Sequence, residues 1–172
     1  GAFSILTSDA GADGVSGGLY LKTGTSTKGS SGALVFRSGD ATSGAGGSIS
    51  MIIGAGDTGD GGRIVISGGG SANTGGSISI ASGGGKTSGA FSIKTADSGS
   101  SGTSGALSFV TGSSSSGSSG SVVLRSGDAT SGAGGSISIA VGNGNTGAGG
   151  RVVIQSGTSS DMTGGSILIS SA

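Results

Sequence analysis

Pairs of large apolar residues separated by one residue recur along the whole chain, always at the third and fifth positions of a module that opens with glycine. Twelve such modules follow one another, and the complete ones are 13 to 16 residues long. A spacing of two is the period of a β-strand, in which successive side chains point to opposite faces. The modules begin at Gly1, Gly17, Gly32, Gly47, Gly62, Gly76, Gly89, Gly105, Gly120, Gly135, Gly150 and Gly165.

This repeat predicts an all-β fold, because one short strand cannot bury its own apolar side chains and must stack on its neighbours. We expect a β-solenoid (β-helix) of twelve strand-plus-arc modules of about 15 residues, with the apolar pairs as its core and no helix. Two modules per coil is the favoured arrangement, and three modules per coil is the alternative. The Gly-, Ser- and Thr-rich remainder of each module is typical of arcs and turns.

A longer period is superimposed on the modules. The fourteen residues RSGDATSGAGGSIS at 37–50 recur unchanged at 125–138, which is 88 positions later. Residues 1–88 are therefore predicted to form a unit of six modules. Residues 89–172 are predicted to be a second copy of that unit, continuous with the first in one solenoid.

The chain lacks most of the groups that carry out catalysis. It contains no His, Cys or Glu, and its charged residues are eight Lys and Arg against eight Asp. The Asp residues lie in the Gly-rich arcs, where turns use them for local hydrogen bonds. We therefore expect no enzymatic activity and no cofactor. The segment 54–66 faintly resembles a calcium-binding nonapeptide repeat, but a plain turn is the favoured interpretation.

Charge and hydropathy limit the partners. A net charge of zero gives no electrostatic reason to expect nucleic acid, and no apolar run approaches the ~18–20 residues that span a membrane. Ice remains open as a ligand, with one Thr-x-Thr run at 23–27 in its favour. Carbohydrate also remains open, and Ser and Thr in the arcs can accept O-linked glycans.

The GGSISI segments and the S-G-x-G-G stretches make the chain similar to the Gly/Ser/Thr-rich short-repeat β-solenoid proteins of algal and other microbial cell surfaces and fibres. The resemblance implies an extracellular or surface-associated stalk or fibre and carries over no active-site residue. The leading hypothesis is therefore a structural repeat segment of an extracellular filament or surface stalk, acting by self-association and mechanical support. The alternative is a ligand-binding solenoid, an adhesin for ice or carbohydrate.

Self-association requires a contact surface, and four valines are the candidates. In a coil of two modules, the fourth residue of each module points away from the core, and most odd-numbered modules carry Val there. These valines would form one apolar stripe flanked by the four Arg residues. We predict lateral packing of this stripe on a second copy, and head-to-tail stacking of open coil ends. The candidate contact residues are Val35, Val65, Val123 and Val153.

Overall fold

The computed structural model describes residues 1–171, and in that range the chain contains neither an α-helix nor a β-strand. The predicted β-solenoid is therefore wrong with either two or three modules per coil, because there is no strand to stack. The backbone is irregular and changes direction at eleven short turns or bends. These lie at 12–13, 27–29, 42–44, 57–59, 72–73, 85–87, 100–101, 115–117, 130–132, 145–147 and 160–162.

The predicted core is also absent. No side chain in residues 1–171 is buried, and the accessible surface is 16729 Å², against about 7,000 Å² for a compact monomer of this mass. The apolar third and fifth residues of every module are at least half exposed, from 50% for Ile167 to 88% for Phe3. Their regular spacing therefore does not place them in a common interior.

The composition gives a physical reason for both corrections. Glycine supplies 44 of the 172 residues, and it loses more conformational freedom on folding than any other residue. Each module offers only two to four large apolar side chains in return, and burying them does not offset the entropy lost in fixing the whole module. A sheet also needs a second apolar layer against its inner face. Arcs of Gly, Ser and Thr do not provide one.

Closed loops are the regular feature of the structure. In each of the first eleven modules, the seventh residue comes close to the opening glycine of the next module, and one turn or bend lies between them. The loops are therefore short surface loops whose ends meet, as in Ω-loops. We number them L1 to L11; their end residues are 7–17, 23–32, 38–47, 53–62, 68–76, 82–89, 95–105, 111–120, 126–135, 141–150 and 156–165.

The chain divides into two units, Gly1–Ala81 and Ser82–Ala172, of which the structure describes residues up to 171. The first unit contains loops L1 to L5, and the second contains L6 to L11. In both units the apolar pairs lie in the irregular segments outside the loops. The sequence-based division at residue 88 remains a prediction about the repeat.

Candidate self-association surface

The seventh residues are the best-covered side chains of the described chain. Five of them are half-buried, whereas every other residue of 1–171 is exposed. At two further seventh positions, Ile53 and Val141 have the lowest exposed fractions among the large apolar residues, 45% and 43%. The loop closures are thus where the chain packs most closely. The five half-buried residues are Thr23, Ser38, Thr111, Ser126 and Ser156.

Close approach explains some of the glycines that open modules. A Cβ atom added to Gly47 would lie 3.2 Å from the Cβ of Ser38, which is tighter than ordinary van der Waals contact. A Cβ on Gly62 would overlap the Cγ2 methyl of Ile53. No residue in the described chain, glycine included, has a positive φ. These two glycines are therefore needed for their missing side chain and not for an unusual backbone conformation.

Backbone hydrogen bonds close some of the loops. The amide of Gly76 donates to the carbonyl of Gly69 at 2.8 Å. The amide of Gly165 donates to the carbonyl of Gly157 at 2.9 Å. In both cases the opening glycine of a module bonds to the eighth residue of the module before it. L6 has the equivalent bond, in which the Gly89 amide donates to the Gly83 carbonyl at 3.0 Å.

The apolar residues between the loops retain a weak alternation. Val35 has an exposed fraction of 75%, whereas its neighbours Leu34 and Phe36 have 53% and 65%. The third and fifth residues are therefore partly covered by the chain, and the fourth is less so. This alternation leaves one apolar side of the segment only half covered, and the rest of that side is exposed to solvent.

A cleft lies on this half-covered side, between the third and fourth modules. It is lined by Phe36 of the third module and by Ile49, Ser50 and Met51 of the fourth. The fifth residue of one segment thus lies near the third and fifth residues of the next. Its lining is mainly apolar, and it carries no charged group. Such a cleft can receive an apolar side chain but has no group to do chemistry.

The four candidate valines all lie on the surface. Val35, Val65, Val123 and Val153 are each more exposed than the residues on either side of them. Val35 and Val65 belong to the first unit, and the other two belong to the second. The coil that would have aligned them in one stripe does not form, so their alignment loses its basis. Their role in a lateral contact remains a prediction.

Charged residues form local pairs on the surface. Arg37, which directly precedes L3, donates from Nη2 to Asp40 Oδ2 at 2.8 Å. The equivalent atoms of Arg125, which directly precedes L9, and Asp128 are 3.7 Å apart. Both pairs are highly exposed, and such pairs contribute little to stability. Within residues 1–171, no group of three Asp side chains is placed to hold a metal ion.

Among the described residues there is no helix long and apolar enough to cross a lipid bilayer.

No family model matches the chain, and neither a curated protein nor a solved structure is similar to it.

The seventh residues and their contact with the next glycine were not identified as functional positions from the sequence. A signal was present, because most of these positions hold a small hydroxyl residue or a β-branched residue directly before the Gly-rich arc. That signal points to loop closure, which sets how far apart successive apolar segments lie along the chain.

Proposed function

We propose that the chain is a structural repeat region of an extracellular filament or surface stalk, and that it acts by self-association and mechanical support. The observation that carries the proposal is the exposure of the apolar pairs, which are at least half accessible in every described module. Fully burying one such side chain is worth about 1.5–3 kcal/mol. A partner that covers many of them gains a large total.

A second copy of the chain suits this surface better than a small ligand does. The apolar pairs are spread over all twelve modules, whereas a small ligand would cover one cleft. Another copy presents apolar pairs at the same spacing along its length. The net charge of zero also means that two copies do not repel each other strongly. Exposed apolar patches of this kind mark protein contacts.

The scarcity of catalytic side chains supports a mechanical role. The chain has no His, Cys or Glu, so the usual general bases and nucleophile activators are missing. Repetition of one module favours a role set by length and periodicity. The extracellular setting is supported by the resemblance to Gly/Ser/Thr-rich surface proteins and fibres.

Static light scattering of matched variants tests the proposal. Ile49→Ser with Met51→Ser removes the apolar pair that lines the cleft. Val15→Ser with Met162→Ser removes two loop residues that are more exposed, at 97% and 83%, but lie outside the pairs. We expect the first double variant to associate more weakly than the parent and the second to associate like the parent.

Equal loss of association in both variants would contradict the proposal, because general surface hydropathy would then explain the behaviour. A parent chain that stays monomeric at every concentration would also contradict it. Loss confined to the first variant supports contacts made by the apolar pairs.

A further inference from the structure

The two copies of the 88-residue unit agree at the apolar third and fifth positions of residues 1–75 and differ at most of the charged positions there. In residues 1–75, every third- and fifth-position residue has a large apolar counterpart 88 positions later, as Ile49 has Ile137. Five of the nine charged residues in 1–75 have an uncharged counterpart instead. These are Asp13 with Ser101, Lys22 with Val110, Lys28 with Ser116, Asp57 with Asn145, and Asp60 with Ala148.

The local structure of the two copies also agrees. The contact of Ser38 with a Cβ on the next module's glycine is 3.2 Å, and the equivalent contact of Ser126 is also 3.2 Å. The turn bond in L1, from the Gly14 amide to the Gly11 carbonyl, is 3.2 Å, and its counterpart in L7 is 3.3 Å. The loop closures that separate successive apolar segments are therefore similar in the two copies at these positions.

We propose that a neighbouring chain docks with a shift of one 88-residue unit, so that residues 1–75 of one chain lie beside residues 89–163 of the next. The proposal rests on the self-association put forward above and specifies its register. In an unshifted parallel pair, each of the nine charged residues faces its own copy. With the shift, only four of the nine face a like charge, and like charges that come close together repel each other.

The largest difference between the two registers lies at L4. Without the shift, Asp57 and Asp60 of one chain face the same two carboxylates of its partner. With the shift they face the uncharged Asn145 and Ala148 of L10. Because the two contacting surfaces are different, the contact is heterologous and repeats into an open assembly.

Cysteine cross-linking distinguishes the registers, since the chain has no cysteine of its own. Thr58 lies at the bend of L4, and Thr146 lies at the equivalent bend of L10. Thr58→Cys chains are mixed with isotopically heavy Thr146→Cys chains under conditions where the parent associates. A short bifunctional thiol reagent is added, and the dimers are assigned by mass. We expect 58–146 links to exceed 58–58 links about fivefold, as five avoided like-charge contacts imply when each is at the low end of the range for exposed charge pairs.

A charge variant with a matched control tests the reason for the register. Asp57→Asn with Asp60→Ala gives L4 the uncharged residues of L10, so 58–58 links are expected to increase. Asp9→Asn is the control, because Asp9 faces an Asp in both registers, its counterpart being Asp97. It is expected to leave the ratio of the two links unchanged.

Association with 58–58 links as frequent as 58–146 links would overturn the shift and leave the proposed function standing. A parent chain that stays monomeric in light scattering, and gives no link of either kind, would overturn both. A 58–146 excess that Asp57→Asn with Asp60→Ala does not reduce would overturn the charge argument for the register.

Discussion

The Cγ2 methyl of Ile53 occupies the space that a side chain on Gly62 would need. The same relationship recurs 88 residues later, where the Cγ1 methyl of Val141 occupies the space beside Gly150. Both contacts close a loop, L4 in the first unit and L10 in the second. In a chain without a buried core among its described residues, such contacts are the main tertiary constraint on each module.

Gly62→Ala is expected to open L4. The added methyl overlaps Ile53, and overpacking of this kind typically costs about 1–3 kcal/mol, which a single exposed loop contact cannot absorb. The nuclear Overhauser contact between the Ile53 methyl protons and the α-protons of residue 62 should therefore disappear.

Gly61→Ala is the matched control, because a Cβ at Gly61 meets no atom within 4 Å. It should leave the contact between Ile53 and Gly62 in place. Persistence of that contact in Gly62→Ala would show that the loop accommodates a side chain and that the opening glycine is not needed for closure.

Amide hydrogen exchange should follow the loop bonds and not the apolar pairs. The amides of Gly76 and Gly165 donate to backbone carbonyls at 2.8 and 2.9 Å. Within residues 1–171, the amides of Ile78 and Ile80 have no backbone acceptor. The two glycine amides should therefore exchange more slowly than the two isoleucine amides at the same pH. The reverse order would indicate a strand ladder and contradict the structure.

The sequence predicts the spacing of the modules along this chain better than it predicts how their side chains pack. Module boundaries follow from the opening glycines, and the loops of the structure fall between them, with L4 ending at Gly62. The alternation around Val35 is also visible in both sequence and structure. Alternation only says which residues share a side, however. It does not say whether the same chain supplies a surface to cover that side, and here it does not.

The seventh position shows a different limit of sequence interpretation. Thr23 and Ser38 carry the small hydroxyl that is common at seventh positions, but Ser and Thr are also common in the exposed arcs, so this signal does not single them out as half-buried. Their coverage depends on where the next glycine lies in space, nine residues later in both cases. That distance depends on the turn between them, and a Gly/Ser-rich turn can adopt many conformations.

The candidate valines give a prediction about lateral contact. Changing all four to Ser should weaken bundling while leaving the closed loops intact, because the valines lie on the surface outside the loops. Electron microscopy of the assemblies and light scattering measure the effect. Bundling equal to that of the parent would mean that these side chains take no part in the contact. The four residues are Val35, Val65, Val123 and Val153.

No inhibition of ice recrystallisation is expected. The single Thr-x-Thr run, 23–27, lies in L2, where the backbone bends at 27–29. Thr23 is half-buried in this loop, against Gly32. A run of threonines in a closed loop does not form the regular flat array that matches ice. Inhibition at micromolar concentration would favour the ligand-binding alternative over the structural one.

The heat capacity change of self-association tests the central claim most directly, namely that apolar side chains exposed in one copy are buried between copies. Heats of dilution of the parent chain, measured by calorimetry at several temperatures, give this quantity. Burial of apolar surface makes it negative, by roughly 0.45 cal/K/mol for each Å² covered. We predict a clearly negative value that becomes smaller in magnitude for Ile49→Ser with Met51→Ser. A value of zero in the parent chain, with association still occurring, would show that the apolar pairs stay exposed and would contradict the account.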